Sequence, residues 1–150
     1  MYGYVKVGSA VPKLRVADCV YNKEEILKLV EAAAAKQVRV LSFPELSVTG
    51  YTCADLFFQA PLLHAAEQAI QEIAETTKAL NIFLLIGVPI AVDNQMFNCA
   101  VALYKGKLLG IVPKTHIPNY SEFYEERWFA SADDLLTEEI TYACLLYTSP

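Results

Sequence analysis

Leu41-Ser42-Phe43-Pro44-Glu45-Leu46-Ser47-Val48-Thr49-Gly50-Tyr51 carries one carboxylate out of an apolar strand and into a turn rich in Pro, Thr and Gly. The residues ahead of it, Val38-Arg39-Val40-Leu41, read as a short buried strand. Pro44 has no N–H to give, so the ladder of a central strand ends there. Glu45 therefore stands at the C-terminal edge of a strand. In layered α/β proteins that edge opens on a crevice where side chains converge, and a carboxylate placed there can serve proton transfer. The position equally suits a solvated Glu at an ordinary strand exit, because a strand end by itself fixes no chemistry.

The flanking chain alternates strand and helix. Tyr4 to Ala10 has the alternation of a strand, and Pro12 to Asp18 reads as a loop. Asn22 is placed to cap a helix over Lys23 to Lys36, with Glu25 at the capping-box position and Ile26, Leu29, Val30 and Ala33 along one face. Beyond Tyr51, Ala54-Asp55-Leu56-Phe57-Phe58 forms a helical turn covering the core, and Pro61 opens a second helix from Leu62 to Leu80. Ile82 to Ile90 is a nearly continuous apolar strand. After the turn Asp93-Asn94-Gln95, Met96 to Tyr104 and Leu108 to Pro113 read as two more strands joined by the hairpin Lys105-Gly106-Lys107. This meander places Lys114 at a strand end equivalent to that of Glu45. The order strand, helix, strand predicts a layered α/β fold.

Bulk properties narrow the function. The 150 residues are of single-domain size, 55% hydrophobic and 19% charged, so either the core is large or an apolar surface awaits a partner. A net charge of −5 and a pI near 5.0 predict no nucleic-acid and no membrane partner, since phosphates and anionic headgroups would be repelled. With no membrane-length apolar run and no signal-peptide pattern, the expected location is cytoplasmic. Cys19, Cys53, Cys99 and Cys144 are scattered, and only His64 and His116 could add imidazole ligands, so no metal site is expected and the thiols read as reduced and half-buried.

Downstream of Lys114 the loop Thr115 to Phe129 is dense in aromatic and acidic groups, among them Tyr120, Glu122, Phe123, Tyr124, Glu125, Glu126, Trp128 and Phe129. Trp128 and Phe129 read as rings packed on the sheet. An amine, a carboxylate and several rings converging on one crevice fit hydrolysis of a small polar amide, provided a nucleophile is supplied.

These residues resemble a known family. Phe43-Pro44-Glu45-Leu46 with Gly50-Tyr51, then Gly87 and the Asn98 strand, then Lys114 and Pro118-Asn119-Tyr120-Ser121-Glu122-Phe123-Tyr124-Glu125, resemble the N-terminal half of a nitrilase-superfamily (carbon–nitrogen hydrolase) domain. The extended loop is most similar to the glutaminase domains of bacterial glutamine-dependent NAD+ synthetases. The resemblance implies an α/β fold, an incomplete nitrilase-type α-β-β-α sandwich over residues 1–143, and glutamine amide hydrolysis that supplies ammonia for NAD+ synthesis.

By the same resemblance, Glu45 is the general base, Lys114 stabilises the oxyanion, Glu125 orients Lys114 or assists departure of ammonia, and Tyr51, Tyr120 and Phe123 shape the glutamine pocket. L-Glutamine is then the small-molecule partner and the intact parent a homo-oligomer. No cofactor is implied for these residues; ATP and Mg2+ belong to a synthetase domain that is absent from the chain. The family's nucleophile sits in a Cys-Glu-Asp type motif, which the chain lacks: Cys144 is followed by Leu145. Residues 144–150 depart from the family and are expected to be a non-native tail on a fragment inactive alone. A stand-alone amidase of the same superfamily and a non-catalytic truncated subunit are the alternative readings.

Overall fold

The structure, a computed structural model, describes residues 3–137, 139–143 and 145–148. In chain order it comprises β1 (Val7–Ser9), α1 (Cys19–Ala35), β2 (Val40–Ser42), α2 (Ala60–Thr77), β3 (Phe83–Val92), β4 (Gln95–Tyr104), β5 (Lys107–Pro113), β6 (Glu139–Tyr142) and β7 (Leu145–Thr148). Short 3-10 turns cover Ala54–Phe58, Glu125–Arg127 and Ala132–Asp134. β1 to β5 form one sheet in sequence order: β1, β2 and β3 run parallel through the two helical crossovers, and β3, β4 and β5 are the antiparallel meander. β6 and β7 pair as a separate antiparallel hairpin.

Strand periodicity assigns the two faces. Leu41, Leu84 and Leu103 lie abreast, as do Ile86, Val101 and Ile111, and all of them join one core with Ile26 and Val30 of α1 and Ala66, Ile70 and Ile73 of α2. Both helices thus bury their apolar stripes on the same side of the sheet, and burying an aliphatic side chain of this size contributes about 1.5–3 kcal/mol. The other face carries Gly87, Ala100 and Val112 abreast, and Ala100 and Val112 are exposed. One helix layer on the five-stranded sheet is half of the expected sandwich; apart from the two-stranded β6–β7 hairpin, the described residues contain no second sheet, and no second helix layer.

Several local expectations need correcting. α1 starts three residues before the predicted cap: Asp18 is the N-cap, and its carboxylate accepts from the Tyr21 N–H at 3.0 Å. Asn22 is fully buried instead. Its amide oxygen accepts from Arg15 N–H at 2.8 Å, and its nitrogen donates to the carbonyls of Arg15 at 2.8 Å and Val48 at 2.9 Å. A buried side chain that satisfies three backbone groups stabilises more there than at a solvated helix end. Glu25 pairs with Lys28 rather than closing a capping box. Only Val7–Ser9 of the predicted first strand pairs, because β2 offers just three partners. Cys19, Cys53 and Cys99 are fully buried rather than half-buried. Cys144 lies outside the described residues.

Candidate active site

The Glu45 turn is fixed to β3 from both sides. Phe43 N–H donates to Leu85 C=O at 2.9 Å, Val48 N–H donates to Gly87 C=O at 3.2 Å, and Gly50 N–H closes on Leu46 C=O at 2.8 Å. Leu46 and Val48 are wholly buried beneath it, and Gly50 adopts φ +89°, where a side chain would be strained. Glu45 is left as the outward residue of a turn whose backbone cannot drift.

Lys114 follows β5, its N–H donating to Asn98 C=O at 2.8 Å. Glu125 opens a 3-10 turn; its N–H reaches Pro118 C=O at 3.1 Å, and its own carbonyl accepts from Trp128 and Phe129 at 2.9 and 2.8 Å. Phe129 packs edge-on against the buried Phe57 ring, 4.9 Å between centroids, and Asp55 takes both the Arg127 guanidinium, at 3.0 and 2.9 Å, and the Trp128 indole N–H, at 3.0 Å. The turn at Ala54–Phe58 thereby clasps the loop that carries Glu125.

These supports bring three charges together. Lys114 Nζ donates to Glu45 Oε1 at 2.7 Å and to Glu125 Oε2 at 3.0 Å. Glu125 is 3% exposed, and its other oxygen accepts from Tyr51 OH at 2.6 Å. Asn98 Nδ2 also donates to Glu45 Oε1. Partial burial works against the Lys114 ammonium, but the hydrogen bonds and charges of Glu45 and Glu125 outweigh it and raise its affinity for the proton. Lys114 is a fixed cation at neutral pH. Burial and the Glu125 carboxylate push the Tyr51 hydroxyl far above its ordinary range, so it remains a donor.

The three residues expected to do chemistry therefore meet in one cluster. Of the expected pocket residues, Tyr51 and Phe123 line a cavity of about 180 Å³ next to Glu125, together with Ala54, Tyr124 and Trp128. Tyr51's hydroxyl is already engaged by Glu125. Tyr120 does not line that cavity; it stands outside, largely exposed, with its ring edge-on to Phe123 at 6.0 Å. A larger, apolar cavity of about 320 Å³ lies against β4 and β5, bounded by Phe97, Cys99 and Ile111, and has no charged group in its walls. Of the two, the smaller one reaches the charged cluster, through Glu125.

A family comparison now decides what this cluster belongs to: carbon–nitrogen hydrolase, matched over residues 6–144. The chain belongs to the carbon–nitrogen hydrolase family. Among curated relatives, the glutamine-dependent NAD(+) synthetase of Mycobacterium leprae is 34% identical over 132 residues, 88% of this chain and 19% of that protein. That of Aquifex aeolicus is 34% identical over 83% of this chain and 22% of its own length. The chain thus spans about a fifth of the curated relatives it matches. The crystal structure of a glutamine-dependent NAD(+) synthetase from Cytophaga hutchinsonii superposes with a TM-score of 0.87 at 29% identity, covering 95% of this chain and 24% of that one. An amidase from Nesterenkonia sp. shares the fold at a TM-score of 0.69 and 19% identity, over 90% of this chain and 51% of its own. The sheet and helices described above are thus part of a nitrilase-type α/β fold.

Two contributors to this cluster and its supports were given no role from the sequence. Asn98 sits in an apolar strand between Phe97 and Cys99, where only its polarity marks it. Asp55 lies 72 residues from Arg127, so no local pattern couples them. Among the described residues, no group of three or more His, Cys, Asp or Glu is arranged to hold a metal ion, and no helix is long and apolar enough to cross a membrane.

Proposed function

We propose that these residues supply the base and oxyanion-binding groups of a glutaminase that feeds ammonia to NAD+ synthesis within a longer protein in the cytoplasm. The observation that supports this reading best is Lys114 Nζ held between Glu45 at 2.7 Å and Glu125 at 3.0 Å beside a ring-lined cavity.

The ammonium has three N–H groups, and two are held by the carboxylates. The third meets no acceptor among the described residues and can donate to the oxygen of an amide. A cysteine thiol gives its proton to Glu45, and the sulfur adds to the amide carbon of glutamine. The C=O pair moves onto oxygen, where Lys114 donates to it. As the C–N bond breaks, the proton on Glu45 passes to the nitrogen and ammonia departs. Water then loses a proton to Glu45 while its oxygen displaces sulfur, which yields glutamate and restores the thiol as that proton returns. Glu125 keeps Lys114 charged and in place throughout.

The sulfur comes from none of the described cysteines. Burial pushes Cys19 up to about 11 and Cys99 to about 12. Cys53, also raised by burial, spends its S–H on the Thr49 and Gly50 carbonyls. A nucleophilic thiol needs the opposite environment. We therefore assign the nucleophile to chain outside the described residues, and ATP and Mg2+ to a synthetase portion distinct from this site; the 150-residue chain alone is expected to release no ammonia from glutamine.

The test is a panel of amides, including glutamine, asparagine and simple aliphatic amides, offered to the product of the complete reading frame. Glutamine should give the highest kcat/KM. Preference for an aliphatic amide would move the assignment to a stand-alone amidase.

A further inference from the structure

The Glu45 carboxylate has two oxygens with different surroundings. Oε1 takes hydrogen bonds from both Lys114 Nζ, at 2.7 Å, and Asn98 Nδ2. Oε2 accepts none from the described residues. Asn98 is only 4% exposed, on the face of β4 that also presents Ala100, two register pairs along from Gly87, over which the Glu45 turn rests. Its backbone carbonyl accepts from Lys114 N–H at 2.8 Å. One strand residue therefore holds the carboxylate through its side chain and the start of the lysine through its main chain.

We infer that Asn98 is a positioning residue for the amide hydrolysis proposed above, holding Glu45 so that Oε2 is the oxygen turned to the thiol. The inference rests on that reading of the site for its chemistry, though its geometry is independent of it. A carboxylate on an exposed turn residue rotates freely about its last bond, and nothing in Lys114 alone fixes that plane, because an ammonium is a point charge on a flexible stem. A second donor from a rigid strand does fix it. Asn suits the position: its nitrogen donates without carrying charge, so it orients Glu45 while leaving proton exchange to Oε2. Asp would lack the donor and bring a third anion to the cluster. The expected consequence of losing Asn98 is a loss of rate with little change in substrate binding, since Asn98 lines no part of the cavity beside Glu125.

Two measurements test this. In the 150-residue chain, the Asn98 side-chain amide protons should move upfield when Glu45→Ala removes their acceptor, with the surrounding backbone amides unchanged. Unmoved Asn98 amide resonances overturn the inference. In the product of the complete reading frame, Asn98→Ala should lower kcat for glutamine by about 30-fold or more and change KM by less than about threefold. The same substitution in a Glu45→Ala background should cost less than about threefold further, because the interaction is already gone. An equal cost in both backgrounds, or a rise in KM at unchanged kcat, overturns it. If the wild-type protein does not hydrolyse glutamine, the glutaminase reading fails, and the amide signature alone decides the role of Asn98 at Glu45.

Discussion

Gly87 and Leu46 meet backbone to backbone: a Cβ on Gly87 would stand 2.4 Å from the Leu46 nitrogen, 2.6 Å from the Pro44 oxygen and 2.8 Å from the Glu45 carbonyl carbon. The turn that presents Glu45 lies directly on β3, and only a residue without a side chain lets it do so. Because the obstructing atoms are backbone, they cannot rotate away. Gly87→Ala should therefore lift the turn, cost about 3 kcal/mol in urea unfolding, and separate Glu45 from Lys114. Unfolding within about 0.5 kcal/mol of the parent would show that the turn can relax.

Tyr51 tests how the ring and the carboxylate divide their work. Its hydroxyl is bound to the buried Glu125, so Tyr51→Phe leaves one carboxylate oxygen with a lost partner and should destabilise by about 1.5–3 kcal/mol. With the ring retained in the cavity wall, kcat for glutamine should fall while KM changes little. A raised KM at unchanged kcat would instead make the hydroxyl a substrate contact.

How much of this could be read in advance follows from what each signal depends on. The two helices, the meander and the strand ends at Glu45 and Lys114 are periodic or punctuated by proline, and the chain folds them accordingly. Asn22 misled because Asn before a charged run looks like a cap; its true partners, Arg15 and Val48, are set by tertiary packing. Asp55 and Arg127, like Asn98 and Glu45, are joined only when the sheet brings distant segments together. Tyr120 carried a motif match, yet its ring stays exposed, since motif position does not fix where a loop side chain points.

The Asp55 clasp has a pH signature. Hydrogen bonds from Arg127, then from Trp128, lower Asp55 from its ordinary 3.8 to about 2. A carboxyl depressed in the folded state stabilises above its ordinary value and loses that contribution as pH falls through about 2. Trp128 is the chain's single tryptophan, so its emission reports the clasp. The emission difference between wild type and Asp55→Asn should stay constant from neutral pH down to about 4 and fade toward 2. A difference that disappears well above 4 would contradict the clasp.

The buried thiols give a chemical prediction. Cys19, Cys53 and Cys99 should react with a disulfide reagent at least about 100-fold more slowly in the native chain than in urea, as peptide mapping of labelled cysteines would show. Linkage runs the other way from Asp55: thiols raised from 9.0 to about 11 and 12 stabilise below 9, and that contribution is lost as pH climbs through the folded values. Rapid native labelling of any of the three would reopen it as a nucleophile.

The charged cluster itself is tested most directly by ammonia release from glutamine by the product of the complete reading frame. Glu45→Gln and Lys114→Gln should each reduce kcat by about a thousandfold, while Lys78→Gln, at an exposed ion pair with Glu75, leaves it unchanged. Either site variant retaining more than about a tenth of wild-type kcat would contradict the assignment of base and oxyanion donor to these two residues.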